Sequence, residues 1–262
     1  MSKSLPDRHV LYQQAVQDVE SEIDFVEATF KELRGRPARS LREDFCGTAN
    51  TACEWVRRSK KNVASAVDLD PDVLAWGRNN NVAKLGEAQQ ARISLREGDV
   101  RDGGPPVDTV LAMNFSYWLF LSRDEMRGYF ESVRESLKPD GVLFLDAYGG
   151  YDAPKELEEP RDCGDFTYIW EQASFNPINS QMQCYIHFEL PDGTRMDRAF
   201  TYYWRLWTLP ELRELLAEAG FSRSLVYWEG TDEESGEGDG IFEASEEGEA
   251  DPGWIAYISA EL

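Results

Sequence analysis

The stretch Leu41-Arg42-Glu43-Asp44-Phe45-Cys46-Gly47-Thr48-Ala49-Asn50 is the most informative in the chain. Its spacing predicts a strand over 38–45 that ends in acidic residues and passes through Gly47 into a helix over 48–59. A strand that turns into a helix through a small residue lets a ligand approach the backbone, because no side chain holds it off and the first helical turn leaves its N–H groups unpaired.

Working outward, further strands are expected over 62–67, 93–97, 107–113 and 141–147, and helices over 71–85 and 122–137. Pro71 sits at the first helical turn, where its missing N–H costs nothing. Strands alternating with helices imply a parallel sheet covered on both faces. Upstream, Val16, Val19, Ile23, Val26 and Phe30 fall three or four apart and predict one amphipathic helix over 10–33, ended by Gly35 and Pro37. After Gly149-Gly150 the pattern changes to period two over 166–175, 181–190 and 194–206, with Asn-Pro and Pro-Asp-Gly turns between, which predicts a three-stranded antiparallel meander. A helix over 209–219, closed by Gly220, and strands over 221–228 and 254–260 complete the chain.

Between Glu229 and Asp251 stand eleven acidic residues and no basic one, which reads as a mobile loop over 229–253. The expected organisation is an N-terminal helical cap (1–37), a core (38–149 and 207–262) and an inserted antiparallel lid (150–206).

At 262 residues, 42% hydrophobic, the chain can bury one sizeable core and an appended layer. Lys and Arg number 27 against 49 Asp and Glu, and the resulting net charge of -22 argues against nucleic acid and anionic membrane as partners. Four cysteines form no CxxC pair and only two histidines exist, so neither a disulfide framework nor a metal site is expected. No apolar run approaches the roughly 18 residues of a membrane span, and the start MSKSLPDRH lacks a hydrophobic stretch. A soluble, cytoplasmic protein is expected.

The segment 41–50 resembles the first motif of the class I S-adenosylmethionine-dependent methyltransferases, in which an acidic residue ends the first strand and a CGTG-like loop follows. Glu43 takes the acidic position and Cys46, Gly47 and Thr48 stand as in the family, while Phe45 and Ala49 replace two of its usual glycines. Val67-Asp68-Leu69-Asp70-Pro71 is similar to the second motif, which implies that Asp68 accepts hydrogen bonds from the ribose hydroxyls with Leu69 beside it. Glu97-Gly98-Asp99-Val100 looks like the third, which implies Asp99 at the adenine amino group and Val100 on the ring. Leu137-Lys138-Pro139-Asp140-Gly141 and Glu218-Ala219-Gly220-Phe221 look like the turns before the fifth and sixth strands.

The order of these matches is the argument. An NAD-binding domain would normally show GxGxxG where this chain has FCGTAN. The strings EDFCGTA, NFSY, YGG and WRLWTLPEL resemble one branch of the family. The resemblance implies an α/β, Rossmann-like sheet with helices on both faces, S-adenosylmethionine as cofactor, and no metal.

The acceptor side is read from Asn114-Phe115-Ser116-Tyr117-Trp118, placed where the family sets residues beside the sulfonium. The string echoes the Asn-Pro-Pro-Tyr of amino-methylating enzymes, which implies Asn114 and Phe115 at the reacting atoms, Asn114 also at the cofactor, and Tyr117 at the substrate. The segment 166–207 holds eleven of 32 aromatic residues, twice its share by length. By strand parity Cys184, Ile186 and Phe188 face one way and Tyr185, His187 and Glu189 the other. Small-molecule methyltransferases often carry such an insertion as a lid over the acceptor; a homodimer interface is the alternative. Trp170, Tyr185, Glu171 and Arg205 are candidate substrate contacts, as is Tyr12 from the N-terminal helix, and His187 is a candidate proton acceptor for a hydroxyl substrate. The expected function is methyl transfer to a small molecule, nitrogen slightly favoured over oxygen. Protein methylation and a non-catalytic cofactor-binding regulator are the alternatives.

Overall fold

The computed structural model describes residues 5–232 and 238–262. The N-terminal region forms two helices, α1 (Arg8–Ala15) and α2 (Val19–Arg34), where one was expected. The break is made by Asp18, whose carboxylate accepts the Ser21 N–H at 3.2 Å and caps α2. At the other end of α2, Gly35 adopts φ 64 as expected of a stop signal.

The alternating region gives β1 (Ser40–Asp44), α3 (Asn50–Arg58), β2 (Val63–Asp68), α4 (Pro71–Asn80), the short α5 (Glu87–Gln90) and β3 (Ile93–Glu97). It continues through β4 (Val107–Ala112), α6 (Arg123–Glu135) and β5 (Leu137–Gly149). Asp70 caps α4 ahead of Pro71, and Ser122 and Glu125 cap α6 reciprocally. Then come β6 (Leu157–Asp162), β7 (Thr167–Asn176), β8 (Gln181–Glu189), β9 (Arg195–Arg205), α7 (Leu209–Glu218), β10 (Arg223–Thr231), β11 (Gly238–Ser245) and β12 (Trp254–Glu261).

The large sheet runs β11-β10-β12-β5-β4-β1-β2-β3. β1 to β5 are parallel to one another in it, and β12 is antiparallel to both β5 and β10. The chain moves outward from β1 to β3 and then crosses to β4 on the other side of β1. That reversal opens a crevice beyond the carboxyl ends of β1 and β4, the place where such sheets hold ligands.

Leu143 and Leu145 face Tyr129 and Phe130 of α6 and Leu212 and Leu215 of α7, while Leu111 and Phe144 face Ile23, Phe30 and Trp55 of α2 and α3. A third cluster joins Leu11 and Ala15 of α1 to Phe166, Ile186 and Phe188 of the second sheet, so α1 packs on the inserted sheet and α2 on the core.

Two further expectations change. The inserted sheet has four strands, β6-β7-β8-β9, because 157–162 pairs along β7 from Leu157↔Gln172 to Asp162↔Thr167. The acidic stretch is not a loop throughout: β11 pairs antiparallel with β10, with Trp228 opposite Glu243 and Glu229 opposite Phe242. Phe242 anchors it, its ring 4.5 Å from Tyr257. An edge strand with acidic side chains also resists pairing with a second chain. The part of the expected loop at 233–237 lies outside the described residues. Among the described residues no helix is long and apolar enough to cross a membrane.

Candidate functional site

The turn from β1 to α3 runs through three left-handed residues, Phe45 (φ 55), Gly47 (φ 51) and Ala49 (φ 55). For the two that are not glycine this conformation costs about 1 kcal/mol or more each, offset by a dense set of backbone bonds. Cys46 N–H donates to the Val67 carbonyl (2.9 Å), Ala49 N–H to that of Cys46 (2.8 Å) and Gly47 N–H to Asp68 Oδ2 (2.7 Å). A Cβ placed on Gly47 would meet nothing within 4 Å, so the turn faces open space.

Ala49 has no side chain with which to cap α3. Glu43 takes over that task, its Oε2 accepting the Ala52 N–H at 2.8 Å. From the other side α4 closes on the same turn. A Cβ on Gly77 would stand 2.4 Å from the Thr48 carbonyl oxygen, and Asn81 Nδ2 donates to that oxygen at 2.9 Å.

Two adjoining cavities of about 270 and 350 Å³ occupy the crevice, and Tyr12, Phe45, Asp68, Asn114, Ser116 and Tyr202 line both. The first is completed by Glu43, Cys46, Gly47 and Thr48 below and by Arg8, His9, Gln17 and Phe200 above. The second is lined by Leu69, Asp99 and Val100 on one side, by Leu119 and Phe120 on another, and by Thr201 to Trp204 of β9. Tyr12 and Tyr202 stand together at the junction, each lining both cavities.

Asp68 is positioned by its own backbone bonds, Oδ2 to Gly47 N–H and Oδ1 to Asp70 N–H at 3.0 Å, and still borders both cavities. Asp99 is gripped by Arg101, with Nη2 at 2.6 Å from Oδ2, and this pairing holds its carboxyl below the usual carboxylate range. Burial does the opposite to Glu43, pushing it up to about 8, and raises the Cys46 thiol.

The structure does not bring every candidate into the crevice. Tyr117 is fully buried and donates its hydroxyl to the Asp146 carbonyl at 2.6 Å, beneath the floor of the site. Phe115 packs its ring against Trp118, Tyr148 and Trp204. His187, Glu171 and Tyr185 lie on the opposite face of the inserted sheet, as parity requires of one face when Ile186 and Phe188 turn inward. There the Arg198 N–H donates to His187 Nδ1 (3.1 Å), Nε2 stands 2.8 Å from Glu171, and Arg198 covers the Tyr185 ring. Trp170 backs Tyr202 and Trp204 and does not border either cavity. Arg205 is tied to Glu211 (2.7 Å) and the Leu121 carbonyl (3.3 Å).

Gln17, Phe200 and Tyr202 also line the first cavity without a motif to single them out, and Asp146 lies just beneath it. The parity of β9 groups Phe200, Tyr202 and Trp204 on one face but does not say which face turns inward. Asp146 lies within the apolar run GVLFLDA, which announces only a buried strand.

No family model matches the chain. A protein of Geobacillus sp. (strain WCH70) named "Putative methyltransferase" is 25% identical over 216 residues, covering 80% of this chain and 84% of that relative. Among solved structures, an S-adenosylmethionine-dependent methyltransferase from Clostridium acetobutylicum superposes with a TM-score of 0.69 at 17% identity, covering 97% of both chains. CalS10 of Micromonospora echinaspora, an amino pentose methyltransferase, gives 0.67 at 16% over all of both chains. The sugar N-methyltransferase KedS8 of a Streptoalloteichus species gives 0.64 at 17%, covering 100% of this chain and 95% of that one. At these identities the likeness to solved structures is one of fold.

Proposed function

We propose that this chain, a class I S-adenosylmethionine-dependent methyltransferase by fold and motif order, methylates a small-molecule acceptor, with nitrogen favoured over oxygen. The observation that carries this reading is the wall that Thr201 to Trp204 of the inserted sheet raise beside Asn114, across the second cavity from Leu69, Asp99 and Val100. An extended protein or nucleic-acid substrate calls for a long open groove, whereas the inserted sheet walls this cleft on one side. The activities given for CalS10 and KedS8, an amino pentose methyltransferase and a sugar N-methyltransferase, agree with a small nitrogen acceptor.

The residues present fit the donor. Gly47 leaves room at the backbone, Asp68 borders both cavities with lone pairs to spare for two ribose hydroxyls, and Asp99 and Val100 line the second cavity together with Leu69. Glu43, Phe45, Cys46 and Thr48 form the bed beneath, with Asn114 at the junction. S-adenosylmethionine supplies a methyl group on a cationic sulfur that is its own leaving group, so the protein's task is orientation and exclusion of water.

Tyr12 and Tyr202 close the junction, and Trp204 and Phe120 keep the acceptor side apolar. The ring faces here stabilise the positive charge that develops on an amine. A neutral amine needs no base before it attacks, and His187, the base considered for a hydroxyl, faces away from the cleft. All four cysteines are free, in keeping with a reducing cytoplasmic setting.

The test is turnover to S-adenosylhomocysteine with a panel of amino-bearing and hydroxyl-bearing metabolites. Asn114→Ala should lower kcat on the accepted compound at least tenfold while leaving donor affinity within threefold. Donor binding without turnover on any small molecule would instead favour a regulator.

A further inference from the structure

Asp146, on β5, is more than nine-tenths buried beneath the cleft. Its Oδ2 accepts the Asn114 N–H at 2.6 Å and its Oδ1 the Phe115 N–H at 2.9 Å. Those two residues are consecutive and both left-handed, at φ 58 and φ 55, although neither is glycine. A pair of residues in that conformation persists only where its surroundings over-determine it. Here two adjacent N–H groups converge on one carboxylate, which supplies an acceptor oxygen to each. The same segment is tied down at either side, Ser116 Oγ donating to the Met113 carbonyl and Tyr117 to the Asp146 carbonyl, each at 2.6 Å.

We infer that Asp146 is the positioning residue of the site, its carboxylate fixing the Asn114-Phe115 turn and so the place of Asn114 between the two cavities. The inference rests on the functional reading only in taking that junction as the place where donor and acceptor meet. Asp146 touches neither: it acts through the main chain of the Asn114-Phe115 turn, whose displacement disturbs the donor cavity more than loss of the Asn114 side chain alone. A carboxylic acid in its protonated form offers a hydroxyl where one N–H needs an acceptor, so the turn is held by the ionised form.

Burial pushes Asp146 up to about 7, against the two N–H bonds that hold it down. Of the titratable groups that face it, Tyr12 on α1, Tyr117 after β4 and Tyr257 on β12 are raised by burial and remain protonated across the neutral range, while Glu22 on α2 is raised by burial to about 8.

The test follows the amide resonances of Asn114 and Phe115 from pH 5.5 to 8.5 in the ligand-free protein, with S-adenosylhomocysteine affinity measured beside them. In the wild-type chain both amides should shift together through one midpoint near neutrality, and the step should persist in Glu22→Gln. Asp146→Asn should abolish the step, lower exchange protection of the two amides at least tenfold and weaken S-adenosylhomocysteine binding at least threefold. Asp146→Glu should recover part of both. Amides that do not titrate in the wild-type chain overturn the inference, and this measurement needs no variant to fold. A step lost in Asp146→Asn with unchanged affinity overturns the link to the site. A wild-type chain that binds no S-adenosylhomocysteine overturns the functional reading, and the amide titration, read without ligand, still decides on Asp146 and its turn.

Discussion

Glu43 caps α3 from the preceding strand, its Oε2 accepting the Ala52 N–H at 2.8 Å in place of a side chain that Ala49 does not have. The acidic position of the first motif therefore has a structural task besides any contact with the cofactor. Glu43→Gln keeps an acceptor and should change stability by less than about 1 kcal/mol, whereas Glu43→Ala removes the cap and leaves a buried N–H, a loss of about 1–3 kcal/mol. Urea unfolding of the two variants checks the order; equal losses would show that the cap contributes nothing.

Stability should fall as pH rises through neutrality. Burial raises Glu22 and Glu43 to about 8 and Asp146 to about 7, above their values in the unfolded chain, so the native state binds these protons more tightly. Their contribution is fully present below a pH of about 4 and is lost on the way to about 8. Asp108 has the opposite sign: despite its burial, the N–H groups of Arg39 and Ser40 hold it below the carboxylate range, and its contribution is lost only in acid. The melting temperature of the cofactor-free protein should be lower at pH 8.5 than at pH 6. A flat or rising profile would contradict these shifts.

Much of this architecture is legible in the residues themselves, because local signals and tertiary packing agree. Asp70-Pro71 and Ser122 with Glu125 mark helix starts by side chains that do the capping, and Gly35 marks a helix end by its left-handed backbone. Strand β6 is not legible, since Leu-Glu-Glu-Pro-Arg-Asp has neither alternation nor β-branching and is held as an edge by the backbone of β7. Strand β11 is hidden by its charge and held by its pairing with β10 and the contact of Phe242 with Tyr257. Gly47, Asp68 and Asp99, singled out by their resemblance to family motifs, all line the cavities of the crevice. His187 and Tyr117 could not be placed, since the facing of a strand and the depth of a turn depend on packing partners far away in sequence.

Gly77 shows how closely α4 approaches the turn from β1 to α3. A Cβ there would lie 2.4 Å from the Thr48 oxygen and 2.8 Å from its carbonyl carbon, both backbone atoms that cannot swing aside. Gly77→Ala should cost about 1–3 kcal/mol by overpacking, although alanine is the better helix former by about 1 kcal/mol. Chemical unfolding checks this; a variant as stable as the wild type would show that α4 can retreat without penalty.

The account rests on the crevice beyond β1 and β4 being the donor site, with Asp68 at its centre. Calorimetric titration of S-adenosylmethionine into the wild-type chain and into Asp68→Ala tests that most directly. One equivalent should bind the wild type, and the substitution should weaken binding at least tenfold, about 1.4 kcal/mol, because Asp68 is the carboxylate that borders both cavities. Equal affinity in the two proteins, or no binding to the wild type, would contradict the account.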